Sequence, residues 1–166
     1  EFFISVFKVD NRLPVAADRI HTSAKQSYRG IDVDFFEVQG GKCSLDEFIA
    51  CLSIPELEML THGDYKMNSP LGAKGNAGVF GGISESLREK GVPAVVTTDG
   101  PSGIRLMTYA SLLPCGTAIA STFNKDLVEK LYGAVAEEML KKGSDVLLAP
   151  GMNIHRDPLC GRNFEY

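Results

Sequence analysis

Two short apolar runs with an amphipathic segment between them constrain the fold of this chain more than any other feature. Residues 92–98 and 145–149 are continuous and rich in β-branched side chains, which is typical of strands buried on both faces. Residues 125–142 repeat apolar side chains at helical spacing, at Val128, Leu131, Val135 and Met139. A strand, a helix and a second buried strand predict a right-handed crossover in a parallel sheet, and therefore an α/β fold.

Local signals at helix ends define the helices. Asn124 and Gly143 bracket the long helix as cap and stop, and it carries two acid-first ion pairs at i, i+4, namely Glu137–Lys141 and Glu138–Lys142. Two shorter helices follow from capping-box spacing, at Ser44 with Glu47 and at Ser53 with Glu56, and the second ends at Gly63. We expect a glycine-rich loop at 63–82 and a further short strand at 116–120.

The chain changes character near residue 42. Alternating side chains predict strands at 2–9 and 31–35, and no helical period is evident before Gly40-Gly41. We therefore expect residues 1–42 to be the β-rich tail of a preceding domain or a linker, and residues 43–166 to form the α/β part. The first residues carry neither an initiator Met nor a signal peptide, so we expect the chain to start inside a longer protein.

Composition excludes several classes of function. A net charge of −4 and a pI near 5.4 argue against a nucleic-acid binder, and neither a basic patch nor an apolar run of ~18 residues indicates a membrane partner. Four scattered cysteines without a C-x-x-C pair favour reduced thiols and a cytoplasmic location over a disulfide framework, with secretion left open. A metal site from His155, Asp157 and Cys160 has no common spacing, so we expect neither a metal nor a cofactor.

The most polar loops directly follow the two buried strands. The first strand leads into residues 99–105 and the second into residues 150–163, and both loops combine carboxylates, guanidinium groups, amides and glycines. In parallel α/β folds, active sites gather at the carboxyl ends of the strands. Such a set of acceptors and bidentate donors suits the binding of a polyol.

Three motifs in these regions carry a family resemblance. They are Asp-Gly-Pro-Ser-Gly-Ile-Arg at 99–105, Leu-Pro-Cys-Gly-Thr at 113–117 and Asn-Ile-His-Arg-Asp-Pro-Leu-Cys-Gly-Arg-Asn-Phe-Glu-Tyr at 153–166. In this order and spacing they closely resemble the amino-terminal barrel of glycoside hydrolase family 3 β-glucosidases, over about residues 42–166. The resemblance implies the first part of a (β/α)8 TIM barrel. It also implies that residues 1–42 end a fibronectin-like sandwich, as in family members with permuted domains.

The resemblance also implies roles for particular residues. Asp99 and Arg105 match the sugar-binding Asp and Arg of the first motif, and Arg162 matches the sugar-binding Arg of the last. The purely structural alternatives are a turn or cap role for Asp99, an ion pair with a barrel carboxylate for Arg105 and a surface ion pair for Arg162. We expect His155, Arg156 and Asp157 to brace their loop, and Phe164 and Tyr166 to pack within it.

The implied enzyme is an exo-acting, retaining β-glucosidase that removes terminal β-D-glucosyl residues from small β-glucosides or oligosaccharides. No segment here matches the family's nucleophile or acid/base residue, so the chain supplies no catalytic residue and should be inactive alone. The oligomeric state stays open, and a homo-oligomer is compatible with the sequence. The alternatives are a non-catalytic carbohydrate-binding α/β module, although the chain lacks Trp, and an unrelated α/β enzyme, although its glycines match no phosphate-binding motif.

Overall fold

The computed structural model describes residues 33–165, and contacts divide the chain between Ser53 and Ile54 into two compact units. The first unit contains two short helices within its described part, and the second contains a sheet with its helices. The change in sequence character near residue 42 lies before this division, so the assignment of 1–42 and 43–166 to different domains remains a prediction.

The first helix, α1, corrects the predicted strand at 31–35. Residues 33 and 34 are not in a strand, and α1 spans Phe35–Gln39. The carboxylate of Asp34 accepts a hydrogen bond from the backbone N–H of Phe36 at 2.8 Å. This cap satisfies a donor that the helix start would leave unpaired, and it overrides the two-residue alternation. The other predicted strand, at 2–9, lies outside the described residues.

The second helix, α2, has the predicted capping box. It spans Leu45–Ala50. The hydroxyl of Ser44 accepts from the backbone N–H of Glu47 at 3.2 Å, and the Glu47 carboxylate accepts from the backbone N–H of Ser44 at 2.8 Å. The buried ring of Phe48 lies 5.4 Å from the ring of Phe35, centroid to centroid. Capping and this aromatic contact together hold the two short helices.

A three-stranded mixed sheet organises the second unit. Its elements, in chain order, are α3 (Ile54–His62), β1 (Gly78–Gly81), α4 (Glu85–Glu89), β2 (Ala94–Asp99), α5 (Gly116–Ala120), α6 (Lys125–Lys142) and β3 (Val146–Leu148). The strand order is β1-β2-β3. Strand β2 pairs with β3 in parallel, which confirms the predicted strand–helix–strand unit, and β1 pairs with β2 in antiparallel fashion. The chain is therefore α/β, as predicted.

The glycine-rich segment at 63–82 is more ordered than a loop. It contains strand β1, and its turn is closed by Asn76, whose side chain is fully buried. The Asn76 amide oxygen accepts from the backbone N–H of Ser69 at 3.1 Å, and its amide nitrogen donates to the carbonyls of Ser69 and Ala73, both at 2.8 Å. The buried Asn76 side chain thus bonds the backbone of the turn that precedes β1.

The predicted strand at 116–120 is wrong, because these residues form helix α5. A short apolar run cannot distinguish a strand from one helical turn. Only Ile119 is buried, as on one side of a helix, whereas Thr117 and Ala118 are not. The hydroxyl of Ser121 also donates back to the Thr117 carbonyl at 2.7 Å, four residues earlier.

The long helix α6 has the predicted bounds. The Asn124 side chain caps it by accepting from the backbone N–H of Leu127 at 3.0 Å, and Gly143 ends it with φ of 73°. Within the predicted apolar stripe, Val135 and Met139 are buried. They pack in one cluster with Ile104 and Leu147, so the helix covers both the sheet and the segment after β2.

Strands β2 and β3 are joined at their start by Asp145. Its backbone N–H donates to the carbonyl of Val96 at 2.9 Å, and its carboxylate accepts from the N–H of the same residue at 2.8 Å. Burial on both faces was expected, but it alternates along β2, where Val96 and Thr98 are buried, and Leu148 of β3 is 48% exposed. Within residues 33–165, each strand therefore has one well-covered face.

Replacement of Asn76 by Ala should lower the free energy of unfolding by about 1–3 kcal/mol, because the buried backbone N–H of Ser69 loses its partner and the carbonyls of Ser69 and Ala73 each lose one hydrogen bond. Urea denaturation of the intact protein measures this. Gln39→Ala removes an exposed amide and is the control, with an expected change within about 0.5 kcal/mol. Equal stabilities of the two variants would show that the buried amide does not hold the turn.

Candidate functional site

The segment that leaves β2 folds back on itself at the edge of the sheet. Asp99, the last residue of β2, pairs with Leu148 at the end of β3, and its carbonyl accepts from the backbone N–H of Arg105 at 2.8 Å. The turn between them needs a glycine at 103, where φ is 112° and a Cβ atom would lie 2.2 Å from the carbonyl oxygen of Ser111. The turn thus packs directly against the segment at 109–112.

Asp99 and Arg105 form an ion pair at this turn. The guanidinium nitrogen Nη2 lies 3.1 Å from the carboxylate oxygen Oδ2, and the side chains are 60% exposed for Arg105 and 40% for Asp99. The hydroxyl of the fully buried Thr98 donates to the Arg105 carbonyl at 3.2 Å, so the backbone beneath the pair is held from the core side. The two predicted sugar-binding residues of the first motif are therefore neighbours. The carboxylate that Arg105 contacts is Asp99 itself.

A cavity of about 330 Å³ opens beside this pair. Its volume lies at the lower end of the range for small-molecule sites, ~300–1,000 Å³. Two loops line it, the one after β2 and the one at the end of the chain, with polar contributions from Asp99, Ser102, Arg105, Ser111 and Glu165 and apolar ones from Ile104, Leu112 and Phe164. The polar loops that follow the two parallel strands thus meet at one hollow.

Arg162 is linked to this cavity through its ion pair with Glu165. Its guanidinium Nε donates to the carboxylate of Glu165, three residues later, and the side chains are 65% exposed for Arg162 and 13% for Glu165. Glu165 lines the cavity, whereas Arg162 does not. The hydrogen bond from Arg162 lowers the pKa of Glu165, with a smaller Coulombic effect of the same charge and an opposing effect of desolvation. Arg162 therefore forms an ion pair, as its alternative role supposed, and its role in sugar binding stays a prediction.

Glu165 was not among the residues predicted for the site, and Phe164 was predicted to pack within its loop. Phe164 instead lines the cavity and is 75% exposed. The i, i+3 spacing of Arg162 and Glu165 was the available signal for their ion pair, because such spacing brings side chains together in a helical turn. Tyr166 lies outside the described residues.

The residues predicted to brace the second loop lie away from the cavity. His155, Arg156 and Asp157 are all exposed, and none of them lines it. Asp157 makes its bonds within the loop: its carboxylate accepts from the backbone N–H of Leu159 at 2.8 Å, and its carbonyl accepts from the side chain of Asn163 at 2.9 Å. The second loop therefore contributes to the cavity through its last described residues.

Neither a metal-type cluster nor a membrane span occurs in the described part of the chain. Residues 33–165 contain no group of three or more His, Cys, Asp or Glu side chains arranged to hold a metal ion. Within the same range, each helix is too short or too polar to cross a bilayer. All four cysteines lie in this range, and none forms a disulfide.

Known proteins match this chain over the region that builds the cavity. The glycosyl hydrolase family 3 N-terminal domain matches residues 75–165. A β-glucosidase of Ruminococcus albus is 46% identical over 160 residues, which cover 94% of this chain and 17% of that protein. β-Glucosidase A of Butyrivibrio fibrisolvens is 39% identical over 136 residues, which cover 80% of this chain and 15% of that protein.

Solved structures agree. A β-glucosidase from Paenibacillus barengoltzii superimposes with a TM-score of 0.77 at 48% identity, over 82% of this chain and 15% of that one. β-Glucosidase 3B from Thermotoga neapolitana, in complex with glucose, gives a TM-score of 0.58 at 35% identity, over 73% of this chain and 18% of that one. The chain spans less than a fifth of these relatives. With the family domain matched from β1 through both cavity loops, the chain belongs to glycosyl hydrolase family 3.

Proposed function

We propose that the intact protein is an exo-acting, retaining β-glucosidase that removes terminal β-D-glucosyl residues from small β-glucosides or oligosaccharides. The main support for this function is the cavity at the ends of β2 and β3, which is bordered by the Asp99–Arg105 pair. Support comes from relatives named β-glucosidases. A related β-glucosidase is also described in complex with glucose.

In this proposal, Asp99 and Arg105 bind sugar hydroxyls. The Asp99 carboxylate accepts hydrogen bonds from hydroxyl groups, and the guanidinium of Arg105 donates to ring or hydroxyl oxygens. Arg162 acts together with Glu165, whose carboxylate it holds in the charged state. Hydrogen bonds to hydroxyls that strengthen as the sugar gains positive charge would lower the reaction barrier.

The chain itself supplies binding residues and no catalytic one. Retaining hydrolysis needs two carboxyl groups ~5–5.5 Å apart, one of them a proton donor with a raised pKa. Both carboxylates of the cavity have a guanidinium partner. Glu165 has a lowered pKa and is unsuited to donate a proton at neutral pH. We therefore assign the nucleophile and the acid/base residue to parts of the intact protein beyond this chain, and we expect the chain alone to be inactive.

We further infer that the described α/β part belongs to the first part of a (β/α)8 barrel. Apolar side chains left exposed on it, among them Leu148 of β3 and Leu140 of α6, are those that further strands and helices would cover. Residues 1–42 are proposed as the end of a fibronectin-like domain or a linker. Helix α1 places a helical turn within that segment, so a β-rich tail would end before Phe35.

Hydrolysis of an aryl β-glucoside by the intact protein, followed by proton NMR, tests the reaction itself. We expect release of sugar, with the β-anomer of glucose detected before mutarotation, because retention involves two displacements at the anomeric carbon. If no sugar were released from a panel of aryl β-glycosides, the protein would not be a β-glycosidase. Initial formation of the α-anomer would contradict retention.

Asp99→Asn in the intact protein should lower kcat/KM for the aryl glucoside roughly 100-fold or more, because a charge-assisted acceptor for sugar hydroxyls becomes neutral. Steady-state kinetics measures the effect. The matched control is Asp126→Asn in the first turn of α6, away from the cavity, which should stay within about twofold of wild type. Wild-type kinetics of the Asp99 variant would exclude this residue from the sugar site.

A further inference from the structure

One wall of the cavity is formed by residues 109–112, whose large side chains make few packing contacts. Ala110, Ser111 and Leu112 line the cavity. The flanking Tyr109 is 99% exposed and Leu112 is 88% exposed, so these two large side chains bury almost nothing in the described part of the chain. The small Ala110 packs against the core cluster. The position of the wall must therefore depend largely on polar contacts of its backbone.

The last turns of α6 supply two of those contacts, and directly after the wall the backbone N–H of Leu113 donates to the Ser102 carbonyl at 2.9 Å. The backbone N–H of Ser111 donates to both carboxylate oxygens of Glu138, at 3.1 and 3.3 Å. The ammonium group of Lys142 donates to Glu138 at 2.7 Å and also to the carbonyl of Tyr109. One ion pair thus holds a donor and an acceptor of the wall, two residues apart.

The pair is better shielded than a typical surface ion pair. The side chains are only 19% exposed for Glu138 and 21% for Lys142. The hydrogen bond from Lys142 lowers the pKa of Glu138, desolvation opposes this, and the Ser111 backbone N–H adds to the lowering. Glu138 therefore carries its negative charge at neutral pH. The helix below is fixed in turn by the buried Val135 and Met139.

The next pair along the same helix provides an internal comparison. Glu137 and Lys141 have the same spacing, but their charged groups are 3.8 Å apart and their side chains are 76% and 74% exposed. Neither of them lines the cavity. The two pairs are alike in chemistry and in their place on the helix, but they differ in their contact with the wall.

We propose that Glu138 and Lys142 are positioning residues for the sugar site. They hold the backbone at 109–111, and through it the turn at Gly103, where the Ser111 carbonyl packs against the glycine between Asp99 and Arg105. The pair touches no substrate. It sets the distance between the wall and the Asp99 carboxylate, and so the fit of the pyranose ring. This role rests on the proposed β-glucosidase function.

Glu138→Ala in the intact protein tests the proposal by kinetics. We expect KM for the aryl glucoside and the inhibition constant for glucose to rise about tenfold with kcat within about twofold, because a displaced wall weakens sugar binding in ground and transition states alike. Lys142→Met should behave similarly, and Lys142→Arg, which keeps the charge and the donors, should recover most of the affinity. Glu137→Ala and Lys141→Met are matched controls with expected wild-type constants.

Hydrogen exchange of the intact proteins separates this role from simple stability and from the proposed reaction. In wild type and in Glu137→Ala, the Ser111 amide should exchange slowly, whereas Glu138→Ala should expose it. Faster exchange with an unchanged KM would overturn the positioning role, as would equal exchange in all variants. If wild type releases no sugar, the proposed function fails. The glucose affinities of wild type and Glu138→Ala, measured by calorimetry, then test the positioning role on their own. Equal glucose affinities of wild type and Glu138→Ala, or no measurable binding by either, would overturn the positioning role.

Discussion

The site depends on the packing of one side chain from the first polar loop into the core beneath α6. Ile104 is 5% exposed and clusters with Val135, Met139 and Leu147. Burial of such a side chain contributes about 1.5–3 kcal/mol, which is large compared with the net stability of a domain. Because Ile104 directly precedes Arg105, this packing keeps the guanidinium group within reach of the Asp99 carboxylate, although the Arg105 side chain is 60% exposed.

The polar contacts above this core are individually weak, and that suits a binding site. The Asp99–Arg105 pair is partly exposed, so it contributes only about 0–1 kcal/mol to stability. A weak, solvated pair loses little free energy when its groups exchange water for the hydroxyls of a ligand, as the proposed sugar site requires. The backbone beneath is firmer, because the buried Thr98 hydroxyl and the register of β2 with β3 hold it. A rigid backbone and side chains whose contacts can be exchanged together form a preorganised polar site.

The sequence predicted those elements whose signals are local. Helices α2 and α6 follow from side chains that cap their own first turn, Ser44 and Asn124, and such bonds form within three residues of the chain. The strand in the glycine-rich segment could not be predicted in this way. The turn before it is closed by Asn76, but the strand itself is defined by pairing with the distant β2, as between Gly78 and Thr97.

The same distinction between local and long-range contacts applies to the candidate site. That Asp99 and Arg105 share one polar loop could be predicted, because the loop directly follows a recognisable strand and the turn that joins them is short. Their role in binding sugar is implied by the family resemblance and stays a prediction. The relation of Arg162 to the cavity could not be predicted from the sequence, because it depends on which face of the second loop Glu165 occupies. The wall contacts of Glu138 were equally hidden. Its spacing to Lys142 predicts an ion pair, but the bond to Ser111 joins residues 27 positions apart.

Helix α6 links stability to the shape of the site. Val135 and Met139 face the core at one i, i+4 spacing, and Glu138 and Lys142 contact the wall at the same spacing, each three residues further along the helix. Each residue of an α-helix is rotated by about 100° from the one before it, so three positions correspond to about 300° and the two stripes lie about 60° apart around the axis. The helix therefore packs against the core with one stripe and contacts the cavity wall with the neighbouring one. Any shift of the helix that repacks the core therefore moves the wall as well, and the packing that stabilises the fold also sets the width of the cavity.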